Sequence, residues 1–172
     1  MKKVLNLFGI GPRLIIFTLL YSFLFEKAKQ LYHFDISIKR FVPNALVNIV
    51  SIILIMLGLV FLILSLRAII KLTKADKLNT NGIYSVCRHP LYTSWIIFIV
   101  PGIILMSNSL ASFSIPLIMY LIFRLLIKEE ENKLLNRYGD QYRDYKSRVG
   151  LLFPKIWRFK NARRNNQLNP DI

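Results

Sequence analysis

Pro90–Phe123 reads PLYTSWIIFIVPGIILMSNSLASFSIPLIMYLIF, 34 residues without a charge. As one straight helix it would be about 51 Å long at ~1.5 Å per residue, while a bilayer core of ~30 Å takes ~20 residues. The stretch is too long to cross once, and a polar break, Ser107-Asn108-Ser109, sits at its middle. It therefore reads as two limbs, about Pro90–Met106 and Leu110–Ile127, joined by a tight turn. Upstream, Ala45–Leu66 (ALVNIVSIILIMLGLVFLILSL) supplies 22 more uncharged residues and is the most secure span. Leu14–Phe25 is shorter, 12 residues before Glu26. A first span there must draw on Pro12 and Arg13 or run past Glu26, its charged ends snorkelling. Glu26 and Lys27 directly after the apolar run, with no small-residue cleavage site, argue against a signal peptide.

The chain has 172 residues, 54% of them apolar, and 24 Lys and Arg against 9 Asp and Glu, a net charge of +15. That combination excludes a disordered tail and an ordinary soluble enzyme. One cysteine, Cys87, excludes an internal disulfide, and with two histidines there is little for a zinc site, so no metal is expected. The fold class expected is all-α: a polytopic membrane protein of about four transmembrane helices, with a C-terminal helical hairpin and a cytosolic amphipathic helix, in a single domain over residues 1–172. Four spans place both termini on one side. All but four of the 24 positive charges (Lys27, Lys29, Lys39 and Arg40) then share that side, which the positive-inside rule makes cytoplasmic. The basicity reads as anchoring to anionic lipid rather than to nucleic acid. The tail Lys155–Arg164 (KIWRFKNARR) reads as an interfacial segment. Lys-, Asn- and Ile-rich usage suggests a prokaryotic inner membrane.

The chemistry-bearing residues gather on the cytoplasmic side. Asn79–His89 (NTNGIYSVCRH) is a polar loop with a turn signal at Asn81-Gly82, and Pro90 suits a first helical position. Arg88 and His89 thus stand at the start of the third span. The fourth span returns to the same boundary through Arg124, Lys128, Glu129, Glu130 and Glu131, so topology brings Arg88-His89 near Arg124 and the acidic cluster. The exiting helix runs on through Leu134, Tyr138, Tyr142 and Tyr145, with Gly139 as a cap or kink. Taken singly, each of these has an ordinary reading: arginine anchors, a capping histidine, a solvated acidic face, interfacial tyrosines. Cys87 reads as an inert thiol. Asn48, Ser51 and Ser65 read as helix–helix hydrogen bonders, and Pro101-Gly102 and Pro116 as kinks in the hairpin.

The joint pattern is more specific: Gly82-x-Tyr84-x-x-x-Arg88-His89-Pro90-x-Tyr92, an apolar hairpin, then Glu130-Glu131-x-x-Leu134-x-x-x-Tyr138-Gly139-x-x-Tyr142-x-x-Tyr145, then Pro154. Over about Thr80 to Pro154 it resembles the isoprenylcysteine carboxyl methyltransferase family and the related phospholipid N-methyltransferases. The resemblance implies S-adenosylmethionine as cofactor, with S-adenosylhomocysteine as product. Carried over by position, it implies cofactor contacts at His89, Pro90, Leu91, Tyr92, Glu130 and Glu131. Arg88 and Arg124 are the catalytic candidates, Arg124 being nearest to the arginine that holds the acceptor in eukaryotic members, at a different offset. Ser94 stands where the family often has glycine.

The chemistry suits these residue types. A glutamate accepts from an ammonium or a ribose hydroxyl, an arginine clamps a carboxylate, and a tyrosine face attracts a sulfonium. A carboxylate acceptor needs no base, whereas an amine does. No dedicated base is evident, which favours a carboxylate. A membrane site implies a lipidated or amphiphilic small substrate. Two alternatives stay open at this level: a phospholipid-amine N-methyltransferase, and an NADPH-dependent enzyme similar to the steroid and sterol reductases in its C-terminal hairpin. A non-catalytic membrane protein is the third class.

Overall fold

The computed structural model describes residues 9–73 and 78–155. Among these the chain is helical, with two isolated β-bridges and no strand. Helix α1 spans Gly11–Tyr32, with Pro12 in its first turn and His33 closing it in the left-handed conformation. It includes Pro12 and Arg13 and runs past Glu26. A 3-10 turn, Ile38–Arg40, leads to α2, Asn44–Thr73. The short helix α3, Ile83–Val86, precedes α4, Pro90–Ser107, whose middle section Ser94–Ile99 is π-helical. Another 3-10 turn, Ala111–Phe113, opens the long helix α5, Ser114–Arg148. The basic tail beyond Lys155 lies outside the described residues.

Three helices among the described residues are long and apolar enough to cross a membrane: Asn44–Ile70, Pro90–Ser107 and Ala111–Arg148. At 38 residues the last exceeds one crossing. Its apolar part ends at Ile127, and the charged remainder projects beyond it.

Helix α2 lies along α4, and α1 along α5. The α2–α4 contact is close because it is built on glycines. A Cβ on Gly58 would stand 2.5 Å from Ile99 Cγ1, and one on Gly102 would stand 2.7 Å from Ile55 Cγ1 and 3.1 Å from the Ser51 carbonyl. The outer face of α2 exposes Ile49, Ile53, Met56, Val60 and Ile63, an apolar surface suited to lipid rather than water. Ile10, Leu14, Tyr92, Ile96, Met119, Phe123, Ile127 and Leu152 form the main core, joining the start of α1, α4, α5 and the chain after α5.

Several sequence expectations need correction. Ser51 and Ser65 are buried, but each hydroxyl donates to the carbonyl four residues back in its own helix, Val47 and Phe61, both at 2.6 Å. They pair within α2 and act across it only by being small; Asn48 is exposed. Pro116 lies in the first turn of α5, where a missing N–H costs nothing, and no kink forms there. Pro101, by contrast, disrupts α4 as expected: without an N–H it cannot bond the Ile97 carbonyl, and the turn before it, Ser94–Ile99, is π-helical.

Gly58→Leu and Gly102→Leu are each expected to destabilise the detergent-solubilised protein by about 1–3 kcal/mol, the usual cost of overpacking. Ile53→Ala on the exposed face should shift the thermal midpoint far less. A thermal melt comparing the three variants checks this.

Candidate functional site

Arg88 and His89 are placed by the backbone that flanks them. Pro90 starts α4, and His89 sits just before it at φ −127°, ψ 63°. The Arg88 N–H donates to the Gly150 carbonyl at 2.8 Å, and the His89 N–H to the Leu151 carbonyl at 3.2 Å. The Thr93 hydroxyl lies 3.1 Å from both the Leu152 and the His89 carbonyls. The chain after α5 therefore straps the start of α4. It gets there because Gly139, at φ 53° and ψ −127°, breaks the helical path of α5, a conformation that strains any residue with a Cβ. The part of α5 beyond that break buries Tyr142 and Tyr145 against the loop, with the Tyr145 hydroxyl donating to the Tyr84 carbonyl at 2.7 Å.

The charged groups form one buried cluster. The Arg88 guanidinium pairs with Glu131 Oε1, both side chains being about nine-tenths buried. Lys146 Nζ, returned by the break at Gly139, meets Glu131 Oε2 at 2.8 Å. The His89 ring stands between the two glutamates, with Nδ1 3.6 Å from Glu130 Oε1 and Nε2 3.7 Å from Glu131 Oε1. Glu130 is the more exposed carboxylate, at 24%. Its Oε2 accepts from the Tyr92 hydroxyl at 3.1 Å and from the Ile10 N–H at 3.2 Å. Among the described residues, Arg88 Nε, His89 Nε2 and the Tyr142 hydroxyl are buried without a hydrogen-bond partner.

Glu131 lies beyond the apolar part of α5, at the edge of the protein interior. Burial alone would raise its pKa. His89, Lys146 and Arg88 outweigh that effect and hold it down from the ordinary 4.5 to about 2. Burial and then the Glu130 charge push the Tyr84 hydroxyl up to about 12. Burial also raises the Cys87 thiol, whose sulfur sits 3.5 Å from the Thr93 hydroxyl. Cys87 is fully buried, as an inert thiol should be.

Of the residues singled out in the sequence, Arg88, His89, Tyr92, Glu130 and Glu131 come together. Pro90 and Leu91 frame them, buried and half-buried. Arg124 does not join this cluster, contrary to the simple topological expectation. Phe123, Ile127 and Glu131 are buried on α5; Arg124 shares the stripe of Glu131, seven residues away, but about 10.5 Å of helix rise, two turns, separates them. It is exposed, has no ion pair among the described residues, and lines a separate cleft of about 140 Å³ with Tyr120, Leu151, Leu152 and Phe153. Ser94 is fully buried, its hydroxyl donating to the Leu91 carbonyl at 2.6 Å. Four contributors carried no sequence signal of their own: Gly9-Ile10, Thr93, Lys146 and the strap at residues 150–152. Each acts through a backbone path that local patterning does not reveal.

A group whose pKa is depressed on folding adds stability above its unfolded pKa and loses it as pH falls toward the folded value. The stability difference between wild type and Glu131→Gln should therefore be largest above about pH 5 and shrink toward pH 2. Denaturation of both proteins across that range measures it.

The comparisons with known proteins bear on this geometry. A model of the isoprenylcysteine carboxyl methyltransferase family matches residues 44–136. Protein-S-isoprenylcysteine O-methyltransferase of Mus musculus is 34% identical over 79 residues, covering 46% of this chain and 28% of the mouse protein. The Homo sapiens protein of that name is 33% identical over 79 residues, with the same two shares, 46% and 28%. Protein-S-isoprenylcysteine O-methyltransferase B of Arabidopsis thaliana is 30% identical over 87 residues, 49% of this chain and 44% of the plant protein. The chain thus spans less than half the length of these relatives. Since the family match covers more than half of its residues, from the start of α2 into the charged part of α5, the chain belongs to the isoprenylcysteine carboxyl methyltransferase family.

Proposed function

We propose that this chain is an S-adenosylmethionine-dependent membrane methyltransferase that O-methylates an isoprenylcysteine-type carboxylate on a lipid-like acceptor. The observation that carries the reading is the convergence of Arg88-His89 and Glu130-Glu131 into one buried cluster that still holds three unpartnered polar atoms, Arg88 Nε, His89 Nε2 and the Tyr142 hydroxyl. Buried polar atoms without partners call for a ligand or water. This donor set fits S-adenosylmethionine: an arginine N–H for a carboxylate, and a glutamate and a tyrosine hydroxyl for ammonium or ribose groups. When bound, that cofactor supplies an electrophilic methyl group.

The residues divide the work. Glu131 is already engaged by Arg88 and Lys146, so its role is to hold Arg88 in place. Among the described residues Glu130 meets only neutral donors at hydrogen-bond distance, and it is left to accept from the cofactor. His89, Pro90, Leu91 and Tyr92 form the wall around it. The cleft at Arg124 suits the acceptor: an exposed guanidinium for a carboxylate, with Leu151, Leu152 and Phe153 as apolar lining for a lipid chain. Leu152 also belongs to the core that contains Tyr92, so the two regions adjoin. An anionic acceptor needs no base, and alignment and exclusion of water would carry most of the rate. The relatives found are named for O-methylation of isoprenylcysteine, and they lend no support to the amine or reductase readings.

We further read α1 as a fourth span, with both termini cytoplasmic in a prokaryotic inner membrane and residues 1–172 forming one domain. At 22 residues α1 measures about 33 Å, enough for one crossing. Near the far end Lys29 is satisfied by protein groups: its Nζ lies 3.0 Å from Glu26, 3.2 Å from Asp35, 2.8 Å from Ser109 and 2.7 Å from Ser112.

Calorimetry of the detergent-purified protein should show saturable binding of S-adenosylhomocysteine. Glu130→Ala and His89→Ala should each weaken it roughly tenfold or more, as loss of a charged or buried hydrogen bond would. Binding of NADPH in place of S-adenosylhomocysteine would sink the methyltransferase reading. Arg124→Ala should leave S-adenosylhomocysteine binding within about twofold and lower kcat/KM for an isoprenylcysteine acceptor by roughly tenfold to a hundredfold, the scale of one lost charged contact. Weakened cofactor binding in that variant would remove Arg124 from the acceptor role.

A further inference from the structure

Helix α1 lies outside the region that the family matches, residues 44–136, yet its N-terminal end reaches Glu130. The Ile10 N–H donates to Glu130 Oε2 at 3.2 Å. The Ile10 side chain is 3% exposed and belongs to the core with Leu14, Tyr92, Phe123 and Leu152. Position 9 favours glycine through its backbone angle, and a side chain there would displace the Glu130 carboxylate. The Gly9 φ is +51°, in the left-handed region, and a Cβ there would stand 2.2 Å from Glu130 Oε2 and 2.8 Å from its Cδ. The contact also places a carboxylate at the positive end of a 22-residue helix. The other end of α1 is held by Lys29, which joins Asp35, Ser109 and Ser112. The approach of Gly9-Ile10 to Glu130 is thus a docked contact of a helix anchored at both ends.

The two oxygens of Glu130 differ. Oε2 is pinned by two neutral donors, the Tyr92 hydroxyl and the Ile10 amide. Oε1 faces His89 Nδ1 at 3.6 Å, beyond a good hydrogen bond, and is free to accept. A carboxylate held through one oxygen has its side-chain torsions set and its other oxygen aimed.

We propose that the Gly9-Ile10 backbone is a positioning element of the methyl-donor site, pinning Glu130 through Oε2 so that Oε1 is presented to the donor. This rests on the reading of Glu130 as a cofactor ligand. It makes the first helix, which the family match does not include, a working part of the site.

The test is a double-mutant cycle on the full chain, read by calorimetry with S-adenosylhomocysteine. Ile10→Pro removes the amide hydrogen at a residue whose φ, −83°, proline can adopt. Alone it should weaken binding roughly tenfold, the cost of one hydrogen bond to a charged group. In a Glu130→Ala background it should cause no further loss, because its effect runs through that carboxylate. Leu14→Ala, a core truncation on the same helix, should lower the thermal midpoint while binding stays within about twofold. Additive losses in the cycle, or wild-type binding by Ile10→Pro while Glu130→Ala is weakened, would overturn the positioning role and leave the Glu130 assignment standing. Wild-type binding by Glu130→Ala, or no binding by the wild type, would overturn both. Should Ile10→Pro not fold, hydrogen exchange on the wild type decides: saturating S-adenosylhomocysteine should slow exchange over residues 9–14, and unchanged exchange there would overturn the proposal.

Discussion

The buried pair of Arg88 and Glu131 is the constraint on which the rest of this site depends. Taking two charges out of water costs several kcal/mol per ion, at least about 3, unless each finds partners. Glu131 finds them in Arg88 and Lys146, with His89 close by. Those partners come from two places in the chain, residues 88–89 and residue 146, and each place is brought in by its own backbone device. Arg88 is held by the strap at Gly150, whose close turn leaves no room for a Cβ: one would stand 1.9 Å from the Phe153 carbonyl. Lys146 arrives because α5 breaks at Gly139. Ion pair, helix break and strap therefore stand or fall together.

Two adjacent glutamates consequently live in different surroundings. Glu131 faces cations and is nearly buried; Glu130 faces a tyrosine hydroxyl and a backbone amide and keeps a quarter of its surface. One helical step separates them, and that step turns one carboxylate into an anchor and leaves the other open to a ligand. Arg124, two turns earlier on α5, has no carboxylate partner among the described residues and stands at the edge of an apolar cleft.

The far end of the molecule repeats the logic with a different purpose. Lys29 is nine-tenths buried among two carboxylates and two serine hydroxyls, and Asn108, at φ 60°, ties the hairpin turn to the loop after α1 through the Ser37 hydroxyl and the Lys39 amide. These bonds join α1 to the α4–α5 hairpin away from the cluster. A helix clasped at that end has a defined reach at the other, where Gly9 and Ile10 meet Glu130.

Much of this was legible in the sequence because hydrophobic runs and turn residues act locally. Uninterrupted apolar stretches dictate spans wherever water is absent, since only a helix satisfies its own backbone there. Ser107-Asn108-Ser109 marked the hairpin turn, Pro90 the start of α4 and Gly139 the break in α5, each through the backbone angles that those residues allow. The grouping of Arg88-His89 with the glutamates followed from a hairpin that returns to its own boundary. What only the tertiary structure decided was the rotation of each helix and the path of the non-helical backbone. An apolar helix in lipid has little amphipathic pattern to say which face turns inward, and Arg124, two turns before Glu131 on the same stripe of α5, could not be placed in or out of the cluster by pattern alone. Ser51 and Ser65 kept their bonds within α2 for the same reason: their surroundings, rather than their type, chose the acceptor. Lys146, Thr93, Gly150 and Ile10 join the site through contacts between segments distant in sequence, and such contacts exist only once the chain has closed on itself.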